Sequence, residues 1–231
     1  NIVLTNMSHE SAIGPFERMK HNKKFWNIKS NNSNGKFFID YDKLYENIDK
    51  NTELVVIPHA SNVMGNILDV ENISKEIKKI NSNAKLYVDG VAYFPHHIVD
   101  VSNIDFYVIS YYKFMGLRIS SLFVKNQHID LLNKLNHIFL NDDESKLQIG
   151  GIQYEQMSCI PGIKNYMLDT MNGRCNKLSR DTCIQNYNLY SDHENKLMKY
   201  FDTKIKKFNK YNDLNILTDY SKAKIPVYSL Y

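Results

Sequence analysis

Cysteine is scarce in this 231-residue sequence: Cys159, Cys175 and Cys183 are the only three, an odd number without CxxC spacing. That pattern indicates neither a disulfide framework nor a metal site, and a reducing, cytoplasmic setting is the expectation. No apolar run approaches the roughly 20 residues needed to cross a bilayer, and no signal-peptide pattern opens the sequence, so no membrane association is expected. An excess of one charge is missing too. The 29 Lys and Arg are set against 25 Asp and Glu, a net charge of +4 spread among mixed signs. The basic residues form no aromatic-interleaved stripe, so no nucleic-acid partner is expected. No internal repeat occurs, and the only compositional bias is scattered Asn.

What is present is ordinary for a globular chain: 43% hydrophobic and 23% charged residues, and a length sufficient for one substantial core. The patterning alternates strands with helices. "NIVLTNMS" (1–8) reads as a strand, and "ESAIGPFERMKHN" as a short helix with Pro15 near its first turn. "KFWNIKS" (24–30) is a strand closed by the polar loop "NNSNGK", and "DYDKLYENID" a helix. "ELVVIPHA" (53–60) is the nearly continuous apolar run of a strand buried on both faces. "DVENISKEIKKIN" puts Val70, Ile73, Ile77 and Ile80 on one helical stripe. "KLYVDGV" (85–91), "DFYVIS" (105–110) and "SSLFVK" (120–125) are further strands. Helices are expected near 127–137, around 154–170 and within 180–208, with strand character returning in "LNILTD" and "IPVYSLY".

This alternation argues for an α/β fold, a mainly parallel sheet with helices on both faces. In such sheets ligands gather beyond the carboxyl ends of the strands. The rule selects His9, His59 with Asn62, Asp89 and Lys113, each of which follows an apolar run.

Each residue also has a plainer reading. Asp89 begins an Asp-Gly pair, a strong turn signal. Lys113 can be a solvated charge, although its aromatic flanks suggest enclosure and a desolvated, nucleophilic amine. His9 alone reads as a polar or capping residue, Asn62 as a cap for a helix near Leu68, and Ser110 as a strand end. Asp89 and Lys113 together have a use that neither has alone. A pyridoxal phosphate enzyme needs a lysine for a Schiff base and a carboxylate facing the pyridine nitrogen.

Four stretches occur in order with suitable gaps: "IVLTNMSHESAIGPF", "LVVIPHASNVMGNILDV", "LYVDGVAYFPHHIVDV" and "DFYVISYYKFMG". In these the sequence resembles the class V aminotransferase family, most closely its cysteine desulfurase-like branch. The likeness runs from Asn1 to about Lys125, and more faintly through "LQIGGIQYEQMSCIPGI" and "KIPVYSLY". It implies fold type I of the pyridoxal phosphate enzymes, an amino-acid substrate and a homodimer. It further implies Lys113 as the aldimine lysine, with catalytic help from His9 stacked over the ring. Asp89 would face the pyridinium nitrogen, Asn62 the phenolate oxygen, and Ser110 and Tyr112 the phosphate. Gly150 and Gly151 fall where the family has a Gly-Thr pair that reaches the neighbouring subunit's phosphate, which makes Gly151 a cofactor-site position.

Departures accompany the likeness. Ala92 stands where the family has Gln or His, Tyr112 where it has His, Leu117 where Pro follows K-x-x-G, and Gly151 where it has Thr. The chain starts and stops in strand-like runs, so both ends read as cut. The family's phosphate loop is expected before Asn1, and its substrate-carboxylate Arg and mobile Cys loop after Tyr231. The expected division is a large cofactor-binding domain over 1–175 and the start of a small α/β domain over 176–231. Ala92, Leu117 and Gly151 motivate an alternative, a degenerate relative that serves as a binding or scaffold subunit.

Overall fold

The computed structural model describes residues 1–30, 37–170, 177–209 and 214–231. The "NNSNGK" loop, Cys175 and the boundary expected at 175 and 176 lie outside the described residues. In chain order the strands are β1 (Ile2–Thr5), β2 (Lys23–Trp26), β3 (Lys29–Ser30), β4 (Phe37–Phe38), β5 (Leu54–Pro58), β6 (Lys85–Asp89), β7 (Phe106–Ser110) and β8 (Ser120–Val124). Six of them form one sheet in the order β2-β1-β5-β6-β7-β8, and β3 pairs with β4 apart from it. The sheet is parallel from β2 to β7, and only β8 runs antiparallel, against β7. The helices are α1 (Glu10–Glu17), α2 (Tyr41–Glu46), α3 (Val70–Ile80), α4 (Tyr154–Met157), α5 (Cys159–Thr170) and α6 (Arg180–Asn209). This is the mainly parallel α/β architecture that the patterning predicts. Among the described residues no helix is long and apolar enough to cross a membrane.

Successive strand side chains point to opposite faces, so a strand apolar at every position has to be covered twice. On one face Val3, Val55, Ile57, Leu86 and Val88 pack with Leu44 of α2 and with Ile73 and Ile77 of α3. On the other, Ile2, Leu4 and Val56 meet Ile13 and Phe16 of α1. Side chains as buried as Ile73 and Ile77 each contribute about 1.5–3 kcal/mol relative to exposure. Helix ends are set locally. Asp69 caps α3 by accepting the Asn72 N–H at 3.1 Å, Glu71 lies in its first turn, and Lys78 and Lys79 lie in its last. Each of these charges complements the helix dipole.

Several local expectations need correction. Ile80 leaves the α3 stripe and is 44% exposed, because it ends the helix beyond the reach of the sheet. Pro15 lies late in α1, not near its first turn, because the helix already starts after His9. The helix expected over 127–137 is only a 3-10 segment, Asn126–Leu131. The N–H groups of Leu135 and Asn136 both bond the Lys146 carbonyl, at 2.7 and 3.0 Å, and so are withdrawn from any helical ladder.

The strand character expected near the end of the chain reduces to single bridges, Ile216 with Leu230 and Asn66 with Lys224. Residues 214–231 pair partly with themselves, Asn215 with Tyr231 and Leu217 N–H with the Ser229 carbonyl, and bond the loop after β5 as well. The fully buried Asn66 bonds the Asp219 carbonyl and N–H and the Thr218 hydroxyl, while Ile225 N–H reaches the Gly65 carbonyl at 2.9 Å. Gly65 has φ +76°, and a Cβ there would lie 2.9 Å from the Ile225 and Val227 carbonyl oxygens, so only glycine fits.

Candidate active site

Strands β1, β5, β6 and β7 are parallel, so their carboxyl ends share one edge of the sheet, and the loops leaving them converge there. A cavity of about 270 Å³ opens at that edge. It is lined by His9 from the first loop, Asn62 from the second, Asp89 and Ala92 from the third, and Ser110, Tyr112 and Lys113 from the fourth. Other cavities of about 390, 500 and 840 Å³ are larger. Size therefore does not select the site. What marks this cavity is that it sets an amine and a buried carboxylate against one space.

Asp89 ends β6 and is 8% exposed. Its carboxylate accepts the Val91 N–H at 2.9 Å, so the turn suggested by Asp-Gly does form, and it forms on the cavity wall. Burial raises its pKa above the usual carboxylate range. The Val91 hydrogen bond and the positive charges of His9 and Lys113 oppose that rise without cancelling it. Its main chain is fixed on both sides: its carbonyl accepts the His59 N–H at 2.8 Å, and the next N–H, of Gly90, bonds the Val108 carbonyl at 2.9 Å. A Cβ on Gly90 would lie 2.1 Å from the Tyr107 ring. That ring carries a hydroxyl 2.9 Å from His59 Nδ1, and His59 stacks on Tyr93 with centroids 3.5 Å apart. Burial, with the nearby His97 charge, pushes the His59 pKa down to about 3, so this ring, which lines a neighbouring cavity, is neutral at physiological pH.

Lys113 closes a 3-10 turn, Tyr111–Lys113, directly after β7. The N–H groups of Phe114 and Gly116 both bond the Tyr111 carbonyl at 2.8 Å. Met115 takes φ 59°, a conformation costly for a side chain of its size, and a Cβ on Gly116 would meet Tyr111 at 2.8 Å. The enclosure expected from the aromatic flanks is absent. Tyr112 is 53% exposed with its ring centroid 5.9 Å from Lys113 Nζ, while Phe114 turns inward, and Lys113 is exposed.

His9 caps α1, its Nδ1 accepting the Ser11 N–H at 3.1 Å. The capping and cavity readings thus both describe His9. Asn62 does not cap α3, a role taken by Asp69, and it lines the cavity instead. Ser110 ends β7 and accepts a hydrogen bond from Ser120 of β8 at 3.1 Å. Ala92 lines the wall without a polar group. Gly151 lies apart, on the 840 Å³ groove along β8, with open space around it. The resemblance assigns that position to a neighbouring subunit's site, which a single chain does not contain. Sequence reasoning missed Ser120 and Tyr87, which also line the cavity. The facing serines at the ends of two adjacent apolar runs were the available signal for Ser120.

Comparisons with known proteins bear on this arrangement. A family model described as aminotransferase class-V matches residues 1–140. An aminotransferase-like protein of Gibberella zeae is 34% identical over 173 residues, covering 71% of this chain and 42% of that protein. A cysteine desulfurase-like protein of Aspergillus flavus is 31% identical over 181 residues, covering 74% of this chain and 41% of its own length. The chain thus spans under half the length of these two relatives. Among solved structures, the apo cysteine desulfurase of Thermococcus onnurineus superposes with a TM-score of 0.73 at 19% identity, over all of this chain and 56% of that one. At that identity the likeness establishes the fold.

Proposed function

Because the chain belongs to the class V aminotransferase family, we propose that it carries the cofactor site of a pyridoxal phosphate-dependent enzyme acting on an amino acid, of the cysteine desulfurase-like kind. The observation that supports this reading best is that Lys113 and Asp89 line the same cavity. The donor set suits the cofactor. A buried carboxylate with a raised pKa gains from a cationic N–H partner, which a pyridine nitrogen provides. When bound, pyridoxal phosphate supplies an aldehyde carbon that condenses with amines and a ring that withdraws electrons from the substrate α-carbon.

Lys113 would hold the cofactor through Nζ and, once exchanged for the substrate amine, take a proton from the α-carbon and return one. Asp89, ionised opposite the ring nitrogen, would keep a proton on that atom. His9 would lay its flat ring against the cofactor face, and Asn62 would donate from its amide to the phenolate oxygen. Ser110 and Tyr112 would donate hydroxyl protons to the phosphate. Ala92 offers no donor, so the phenolate oxygen has one partner fewer than the family pattern supplies. The exposure of Lys113 fits a homodimer in which a second subunit closes the site. Residues 176–231 would begin the small domain.

The test is to add pyridoxal phosphate to the complete natural protein, reduce with borohydride and map the labelled peptide. A visible absorbance band and a label on Lys113 are expected. A label on another lysine, or none, rejects the assignment and favours a binding-subunit role.

A further inference from the structure

Beyond the cavity, the loops that carry Asp89 and Lys113 are both joined to one helix, α6. Phe94 lies five residues after Asp89, and its N–H bonds the Gly90 carbonyl at 2.8 Å, a single hydrogen-bonded turn from the carboxylate. Phe114 is the residue after Lys113. The two rings meet edge to face with centroids 5.0 Å apart. Tyr187 of α6 completes the group. Its ring stacks with Phe114 at 6.0 Å and 15° between planes, and stands edge-on to Phe94 at 6.5 Å. Its hydroxyl donates to the Phe94 carbonyl at 2.8 Å.

Tyr187 is 5% exposed and Phe114 3%, and with Ile163 and Met167 of α5 they form a core separate from those of the sheet. A second tie runs parallel to the first, as His96 Nδ1 lies 2.6 Å from Glu194 Oε1 two turns further along α6.

We infer that Tyr187, which does not line the cavity, is a positioning residue that holds the Asp89 loop at a fixed setting against the Lys113 turn. This rests on the functional reading above for its catalytic meaning, but the mechanical link stands without a cofactor. Strand pairing fixes Asp89 and Gly90 against β7, and beyond it the strand-end loop and the 3-10 turn depend on side chains for constraints on their separation. The phenol supplies one by bonding the first through its hydroxyl and packing the second through its ring. The two contacts are separable, because phenylalanine keeps the ring and loses the hydroxyl.

The experiment is amide hydrogen exchange on the complete natural protein and on Tyr187→Phe and Tyr187→Leu, with Leu197→Ala as an exposed control on the same helix. Tyr187→Phe should speed exchange of the Phe94 amide about twofold to tenfold, the worth of one hydrogen bond, and leave Phe114 unchanged. Tyr187→Leu should speed both, and the control neither. Unchanged exchange at Phe94 in Tyr187→Phe overturns the inference, and decides it alone if Tyr187→Leu does not fold.

A second readout separates this result from the reading it rests on. Where cofactor is fixed on Lys113, the pH midpoint of its visible band should move in both Tyr187 variants, and an unmoved midpoint overturns the positioning role. If the natural protein fixes no cofactor there, the functional reading fails while the exchange result still decides the mechanical link.

Discussion

Asp89 and Lys113 leave neighbouring parallel strands at the same edge of the sheet, yet the fold treats them oppositely. Asp89 is 8% exposed, hydrogen-bonded to Val91, and anchored through main-chain bonds to β5 and β7. Lys113 is exposed, and order around it resides in the backbone of its turn, where Met115 takes a left-handed conformation and Gly116 lies against Tyr111. On the function proposed above, the difference has a physical origin. A carboxylate whose work is to remain opposite one atom gains from a rigid, desolvated setting. An amine that exchanges partners and carries protons needs a mobile side chain on a firm base.

This contrast is most sharply broken at the amine. Lys113→Ala should leave folding nearly unchanged, since the side chain is exposed, and should lower turnover by about 10²–10⁴-fold, the usual share of a positioned acid–base group. Thermal unfolding alongside steady-state rates of the complete natural protein with candidate amino acids checks both halves. A variant that keeps its rate would remove Lys113 from the chemistry.

Next in size is the backbone beside the carboxylate. Gly90→Ala would drive a methyl into the Tyr107 ring, which is buried and hydrogen-bonded to His59. The expected loss is about 1–3 kcal/mol, measured by denaturant unfolding. Tyr107→Ala should relieve the clash in the double variant, so the two changes together should cost less than their sum. Strict additivity would mean that Tyr107 does not press on the Asp89 turn.

How much of this was legible in the sequence depended on whether a residue's environment follows from periodicity. "ELVVIPHA" could be read as a doubly buried strand because apolarity at every position has one good structural solution. The convergence of His9, Asn62, Asp89 and Lys113 was accessible because parallel strands place all their carboxyl ends together, which turns spacing along the chain into neighbourhood in space, although His59, selected by the same rule, lines another cavity. The region 127–137 was not accessible. Its Leu131 and Leu135 suggest a helix stripe, yet both are more than half exposed, and a distant carbonyl, that of Lys146, takes the N–H groups a helix would need. The terminal segment misleads for a related reason. Besides pairing with itself it is held by the buried side chain of Asn66, a polar contact across 153 residues that no periodic pattern announces. The contact of Tyr187 with both site loops is equally silent, because a tyrosine in a long helix looks the same whether it faces water or a second core.

The smallest effect probes the carboxylate through pH. In the ligand-free chain the folded-state pKa of Asp89 is raised, chiefly by burial. Its protonated form therefore contributes stability that is fully present below the unfolded value of about 3.9 and is lost as pH rises through the folded value. At neutral pH the ionised group is a net cost to the ligand-free fold. Asp89→Asn removes that charge while its amide oxygen still accepts the Val91 N–H. It should thus raise the melting temperature at pH 7 by less than Gly90→Ala lowers it, and the gain should vanish as pH falls through the carboxylate range. With pyridoxal phosphate present the sign should reverse, because the carboxylate then meets its cationic partner and the amide cannot replace it. Melting curves with and without cofactor at pH 4 and pH 7 give all four values. A ligand-free variant less stable than the natural protein at pH 7 would show that Asp89 already has a sufficient partner within the chain, and would erase the asymmetry between carboxylate and amine.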